Sequence, residues 1–370
     1  MKIAFIGGHL SPALSLIGQA PKNWEIIFIG RKYVFEKDKT LSPEYKTIKN
    51  LGILFEEILT GRLQRKFTKN TIPSLLKLPG AFFKAYSILK EHKPDAVLGF
   101  GGYVQIPVVF AAFFLKIPVV LHEQTRKIGL SNKLCAFFAK KICISWRSSF
   151  DFFPKQKTIL TGIPLRKELV SKAESQKRKV KNGNTKPLIF ITGGSSGSHF
   201  INKLIEDSLE KLLEKFLIIH QTGDSEEFRD YANLKTIVSK LPKSFRKDYF
   251  IKKFIDPQEM GDYLFDSDLV ISRSGINTVS ELILFKKPSI LIPIPFSQIN
   301  EQMENAKFLK DIGLSEIIEQ KKATPKLLFE KVTEMFKNID QHKNANTRGF
   351  IDEHAAQKIV KIIEKCIEKK

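Results

Sequence analysis

Apolar runs of four to six residues alternate with segments whose apolar positions recur at helical spacing. Lys2 to Ile6, Trp24 to Ile29, Asp95 to Leu98, Val119 to Leu121 and Ile142 to Ser145 read as strands. Ser11 to Ala20, Ile106 to Leu115 and Gly129 to Ala139 read as the helices between them. Strands with little polar alternation, separated by helices, predict a parallel sheet covered on both faces. The pattern breaks at Ser171 to Lys186, a basic, polar stretch that reads as an exposed interdomain segment. It then restarts with strands at Leu188 to Ile191, Phe216 to His220, Phe250 to Lys252, Leu269 to Ser272 and Ser289 to Ile292. A final helix, Glu353 to Lys369, places Ala355, Ile359, Ile362, Ile363 and Cys366 at helical spacing, so it must pack on something. The expected class is α/β, with two Rossmann-like doubly wound domains facing each other across a cleft. Residues 1–165 form the first, residues 166–352 the second, and the final helix (353–370) returns to the first.

Two segments of the second half carry the plainest chemistry. Asp268 to Ser272 is a buried-strand pattern that runs into RSGINTVSE, Arg273 to Glu281. A Gly marks the strand-to-helix turn. The unpaired amides and partial positive charge of a helix start receive phosphate well. Glu281 lies about one turn further in, where a carboxylate can accept hydrogen bonds from both hydroxyls of a ribose. Leu188 to Thr192 likewise leads into GGSSGS, Gly193 to Ser198, and then a helical pattern. Glycines there let the backbone approach a ligand, and Ser195 and Ser196 add hydroxyl donors. One Gly/Ser loop is a common turn; two within a hundred residues, each leaving a strand and opening a helix, point to a nucleotide sugar-phosphate.

Composition narrows the setting. Lys+Arg 61 against Asp+Glu 39 gives a net charge of +22, which favours an anionic partner. A lysine-rich solvated surface gives the same number, so charge alone does not name that partner. No nucleic-acid module signature is present, so no nucleic-acid partner is expected. Cys135, Cys143 and Cys366 form no metal or redox spacing and suit a reducing cytoplasm. Neither a signal peptide nor a transmembrane helix is expected: the most apolar stretch, Val104 to Leu121, is broken by Gln105, Pro107, Lys116 and Pro118. Around Phe67, Phe82, Phe83 and Tyr86, apolar residues (Ile72, Leu75, Leu76, Leu78) interleave with Lys69, Lys77, Lys84 and Lys90. Such a segment suits anionic lipid, and equally a core helix with snorkelling lysines.

GFGGYV (Gly99 to Val104), PVVLHEQ (Pro118 to Gln124), GGSSGS, HQTG (His220 to Gly223), FID (Phe254 to Asp256), RSGINTVSE and NEQMENA (Asn300 to Ala306) share an order and spacing that resembles the MurG family of GT-B glycosyltransferases. The resemblance runs from the first strand to about Gly313. It implies transfer of GlcNAc from UDP-GlcNAc to the 4-hydroxyl of a polyprenyl-diphosphate-linked MurNAc-pentapeptide, by inversion and without a metal or cofactor. It also implies peripheral attachment to the cytoplasmic face of the bacterial inner membrane, with the Phe/Lys stretch on the lipid. The chain departs from the family pattern in a shorter first loop, Gly7-Gly8, and in Thr125 where Asn is usual. Those departures leave open a GT-B transferase to another membrane lipid; a UDP-GlcNAc 2-epimerase, which shares the architecture but needs its own acid/base carboxylates, is a further alternative. A silent binding partner that keeps the UDP site is a fourth reading.

The candidate catalytic residues are His9, a base near the acceptor hydroxyl, and Glu123. Gly8, Gly101, Gly102, Tyr103, His122, Gln124 and Thr125 form the expected acceptor side. The expected donor side is Gly194, Ser195, Ser196, Ile255, Arg273, Ser274, Glu281 and Gln302, with Arg166 reaching toward the leaving diphosphate. A helix cap for His9, a structural ion pair for Glu123 and a plain turn for the glycines are the bland counterparts. Asp266 and Asp268 make a D-x-D, but it precedes a buried strand and reads as a turn and strand start. His199 and His220 read as structural, and no metal is expected.

Overall fold

The computed structural model describes residues 1–35, 38–61, 76–175, 186–194, 196–296 and 300–368. Ser195, the 62–75 part of the Phe/Lys stretch and residues 176–185 of the basic segment lie outside the described residues. The chain divides into two compact units, Met1–Lys167 with Asp352–Lys370, and Glu168–Ile351.

The first unit is built on β1 (Lys2–Ile6), β2 (Glu25–Gly30), β5 (Leu54–Glu57), β6 (Ala96–Gly99), β7 (Val119–Glu123), β8 (Lys141–Ile144) and β9 (Thr158–Leu160), with a short antiparallel hairpin, β3 (Tyr33–Phe35) and β4 (Asp38–Leu41), beside them. The seven strands are ordered β5-β2-β1-β6-β7-β8-β9, and every pairing is parallel. The central strands are wholly buried, because helices cover both faces. Helices Leu78–His92 and Gln105–Phe114 pack Ala85, Ile88, Val108 and Ala112 on one face. The last helix, Ala355–Glu368, packs Ile359, Ile363 and Cys366 on the other, against Phe5, Leu98 and Val120.

The second unit comprises β10 (Leu188–Thr192), β11 (Leu217–Gln221), β12 (Tyr249–Lys252), β13 (Leu269–Ser272), β14 (Ser289–Leu291) and β15 (Ser315–Ile317), all parallel, in the order β12-β11-β10-β13-β14-β15. Both sheets run outward in opposite directions from their first strand. The connections therefore diverge on either side of β1/β6 and β10/β13, which opens a crevice beyond the carboxyl ends of those strands.

The structure differs from the sequence expectation at the edges. β5, β9 and β15 are three or four residues long and partly exposed, so they lack the apolar run that marks the central strands. Ser171 to Ser175 is not a linker but the end of helix Lys167–Ser175. Leu169 is buried there beside Gly261, and Lys172 reaches Asp262 at 2.6 Å.

Candidate functional site

In the first unit the loops leaving β1 and β6 touch backbone to backbone. A Cβ on Gly8 would lie 2.2 Å from the Gly101 carbonyl oxygen, and one on Gly102 would lie 2.9 Å from the Gly8 Cα. Gly101 and Gly102 also hold φ of +88° and +79°, a region that L side chains rarely adopt. This approach seats His9 against Phe100. His9 precedes helix Leu10–Ile17 but does not cap it with its side chain. Its Nδ1 lies 2.6 Å from the Phe100 carbonyl oxygen, which can only accept, so Nδ1 carries the proton. In the neutral ring Nε2 is then the lone-pair nitrogen.

Arg31 and Glu44 join this loop, and sequence reasoning missed both. The Glu44 carboxylate accepts from Gly8 N at 3.1 Å and from Arg31 N at 3.3 Å. Burial raises its pKa, against the pull of those two amides. The Arg31 guanidinium donates to the Tyr103 hydroxyl and lies 5.4 Å from that ring's centroid. Ser42-Pro43-Glu44 is a readable helix start, and Ser42 does cap Tyr45 N. Nothing local shows that Glu44 turns toward β1.

The HEQ segment lies behind the loop. His122, Glu123, Gln124 and Thr125 are all buried. Glu123 accepts four hydrogen bonds: from Thr125 N (2.9 Å), Thr125 Oγ1 (2.7 Å), Gly129 N (3.0 Å) and Asn132 Nδ2 (3.1 Å). A carboxylate so engaged does not serve as a catalytic base, and the structure reassigns Glu123 to the framework. It acts on the loop indirectly: Asn132 Oδ1 accepts from Gln105 Nε2 at 2.7 Å, and Gln105 Oε1 accepts from Gly101 N at 2.7 Å. The His122 ring is wholly buried with Nε2 3.2 Å from Ser145 Oγ, and the Gln124 backbone carbonyl takes the Trp146 indole N–H. His122 Nδ1 and the Gln124 side-chain oxygen are buried with no hydrogen-bond partner among the described residues.

In the second unit the loop after β10 meets the one after β11. A Cβ on Gly197 would lie 2.0 Å from the Thr222 carbonyl oxygen, and one on Gly223 would lie 2.4 Å from that of Ser196. Gly194 (φ +89°) faces open space, and its N–H goes to Thr192 Oγ1 at 3.0 Å. Ser196 is exposed, and Ser198 caps helix His199–Glu206. Gly275 opens helix Ile276–Leu284 with no side-chain cap, and Glu281 is half-buried in its second turn. Arg273 and Ser274, expected on the ligand, are internal struts instead. Arg273 Nε donates to Ser198 Oγ (3.1 Å) and Nη1 to the Ile292 carbonyl (2.8 Å); burial lowers its pKa to about 10, so it stays charged. Ser274 is fully buried and donates to the Gln302 backbone carbonyl, while Gln302 Oε1 accepts from Ile294 N at 3.0 Å. The buried Ile255 leaves only its backbone for a ligand, and Arg166 is half-buried at the end of the first unit. Asp268 Oδ2 accepts from Leu188 N at 2.8 Å, so the second Asp of the D-x-D anchors the start of β10.

Two Rossmann-type units, each with glycine-only contacts between loops at the carboxyl ends of its parallel strands, define a nucleotide-sugar transferase of the GT-B class. The glycosyltransferase family 28 N-terminal domain matches residues 6–144, and the C-terminal domain matches residues 188–364. The chain belongs to that family, and within it to the MurG group of N-acetylglucosamine transferases. A Clostridium tetani relative is 31% identical over 97% of this chain and 95% of its own length. One from Clostridium botulinum strain Langeland is 32% identical over 97% and 96%. Both are named UDP-N-acetylglucosamine--N-acetylmuramyl-(pentapeptide) pyrophosphoryl-undecaprenol N-acetylglucosamine transferase. The crystal structure of Acinetobacter baumannii MurG superposes with a TM-score of 0.74 at 26% identity, covering 98% of this chain and 99% of that one. Neisseria meningitidis UDP-GlcNAc 2-epimerase bound to UDP-GlcNAc shares the fold (TM-score 0.65, 15% identity, 99% and 100% covered).

Burial lowers the imidazole pKa of His122 from 6.5 to about 4. The folded ring is neutral, whereas the unfolded one takes up a proton below about pH 6.5. The unfolded state thus binds more protons in that window, so this contribution is fully present above pH 6.5 and is lost as pH falls toward 4. The urea midpoint of the wild type is expected to fall between about pH 7.5 and about pH 5. His122→Gln is expected to show a smaller fall, and equal falls would contradict the buried neutral ring.

Proposed function

We propose that this chain transfers GlcNAc from UDP-GlcNAc to the 4-hydroxyl of an undecaprenyl-pyrophosphoryl-MurNAc-pentapeptide, with inversion. The second unit holds the donor and the first unit the acceptor. The observation that carries the reading is the tautomer of His9, fixed by the Phe100 carbonyl at the β1/β6 switch point. The acceptor oxygen attacks the anomeric carbon, whose bond to the β-phosphate oxygen breaks, and the bonding pair leaves with UDP. His9 Nε2 takes the hydroxyl proton. Negative charge grows on the diphosphate, where the Gly193–Ser198 loop, the start of helix Ile276–Leu284 and Arg166 stabilise it. Glu281 holds the ribose hydroxyls. Glu123, His122, Arg273 and Ser274 hold the loops in place rather than touching substrate. No cofactor or divalent ion is assigned to the reaction.

The lipid acceptor implies a membrane surface, and the first unit carries an aromatic strip suited to it. Phe83, Phe82, Phe114, Phe113, Phe138 and Phe137 follow one another at centroid distances of 5.1–5.9 Å. Phe83 (67%), Phe114 (64%) and Phe137 (77%) are strongly exposed, among exposed Lys77, Lys84, Lys116 and Lys133. Tyr86, expected in the same patch, is half-buried against the core like Phe82 and Phe138, with its ring centroid 6.2 Å from that of Phe82. Aromatic rings ringed by lysines suit the interface of an anionic bilayer. No described helix is long and apolar enough to cross a membrane. The proposed location is therefore peripheral, on the cytoplasmic face of the inner membrane.

Radiolabelled GlcNAc transfer to the lipid acceptor tests the activity. His9→Ala is expected to lower kcat by about 10²–10⁴ while UDP affinity stays unchanged. Full activity in that variant would remove His9 as base. Turnover of UDP-GlcNAc without acceptor would instead indicate the epimerase, and transfer to another lipid alone would indicate a different acceptor. In cosedimentation with phosphatidylglycerol vesicles, the double variant Phe83→Ser, Phe137→Ser is expected to lose at least about tenfold in binding. Unaltered cosedimentation would rule out the strip.

A further inference from the structure

A buried polar chain lies under the donor loop of the second unit, assembled from residues that the reaction does not use directly. Asn202, on helix His199–Glu206, is almost wholly buried. Its Nδ2 donates to the Thr222 carbonyl at 2.9 Å and to Asp230 Oδ2 at 2.7 Å. Both amide hydrogens are then engaged, so Asn202 Oδ1 is left to accept from His220 Nε2 at 3.0 Å. His220 Nε2 therefore carries the proton, and His220 Nδ1 accepts from the Tyr249 hydroxyl at 2.8 Å. Each hydrogen bond fixes the direction of the next, from Tyr249 through His220 and Asn202 to Asp230. Burial keeps the ring neutral, with a pKa lowered to about 3, so the order holds at physiological pH. His199 Nδ1 closes the outer end on Asp230 Oδ1 at 2.7 Å, with its own side chain 45% exposed.

The Thr222 carbonyl that Asn202 grips is the same atom that leaves no room for a Cβ on Gly197. Shifting that carbonyl by a few tenths of an ångström would push directly on the Ser196–Gly197 backbone, and so on the loop assigned to the diphosphate.

We infer that Asn202, with His220 and Asp230, is a positioning device for the donor diphosphate: it locks the Thr222–Gly223 turn and thereby the Ser196–Gly197 backbone packed against it. This rests on the donor reading of the second unit. It deepens that reading by assigning the geometry of the leaving-group site to residues that never touch the nucleotide. Tyr249 contributes by fixing the His220 tautomer. His199 only closes the exposed end, so its loss leaves the loop in place.

The test combines UDP calorimetry, steady-state kinetics and nitrogen NMR. Asn202→Ala is expected to weaken UDP binding about tenfold or more, the scale for an orphaned buried hydrogen-bond network. KM for UDP-GlcNAc rises and kcat falls, while KM for the lipid acceptor is unchanged. His199→Ala is expected to change UDP affinity less than about threefold, as an exposed pair should. A purely structural role for Asn202 would lower thermal stability and leave both KM values alone, which would overturn the inference. Histidine nitrogen shifts of the wild type are independent of how the variants fold. They are expected to show His220 protonated at Nε2 and bare at Nδ1 between about pH 6 and 8. The opposite tautomer would also overturn it. If wild-type protein bound no UDP at all, the donor reading itself would fall, whereas wild-type binding with an unaffected Asn202→Ala variant would overturn the inference alone.

Discussion

Close backbone approach between neighbouring loops is the constraint on which both sites depend. Where β1 meets β6, and where β10 meets β11, the chain comes so near itself that a single Cβ would sit 2.0–2.4 Å from a carbonyl oxygen. Such contacts survive only with glycine. They keep the carboxyl ends of the strands free of side-chain bulk, which lets backbone amides and helix starts face a ligand. The sheets supply the rest: parallel strands that diverge from a central pair open a crevice at the same edge.

The polar residues behind these loops act as struts, and this explains why so many motif residues turn inward. Glu123 accepts four hydrogen bonds and reaches Gly101 only through Asn132 and Gln105. Arg273 braces Ser198 and the Ile292 carbonyl. A buried group of this kind costs several kcal/mol if left unpaired, so every partner in the network is held in register. The described parts of these loops are therefore braced from behind by the protein's own hydrogen bonds, the kind of preorganisation that electrostatic stabilisation of a leaving diphosphate uses.

Much of the fold was legible because the central strands are buried on both faces and read as apolar runs. The short edge strands β5, β9 and β15 escaped because partial exposure removes that run. The glycine loops were legible from composition alone. Which polar residue faces a ligand was not, since that depends on partners distant in sequence. Glu44 binds an amide 36 residues away, and the Gln105–Asn132 bond spans 27. Motif residues such as His122 and Ser274 carry the family signature whether they touch substrate or hold those that do. The aromatic strip shows the same limit: Phe82 and Phe83 were visible as a cluster, but Phe113 and Phe114 on a separate helix, and Phe138 and Phe137 in a turn, join them only through tertiary packing.

The central claim is that backbone and helix-start groups of the second unit, together with the Glu281 carboxylate, hold a uridine diphosphate sugar without a divalent ion. Titration calorimetry of UDP in EDTA, on the wild type and on Glu281→Ala, tests it most directly. Binding by the wild type with a loss of about tenfold or more in the variant is the expected result, the scale of a charge-assisted hydrogen-bond pair to ribose. Equal affinity in the two proteins, or wild-type binding that vanishes in EDTA, would contradict the account.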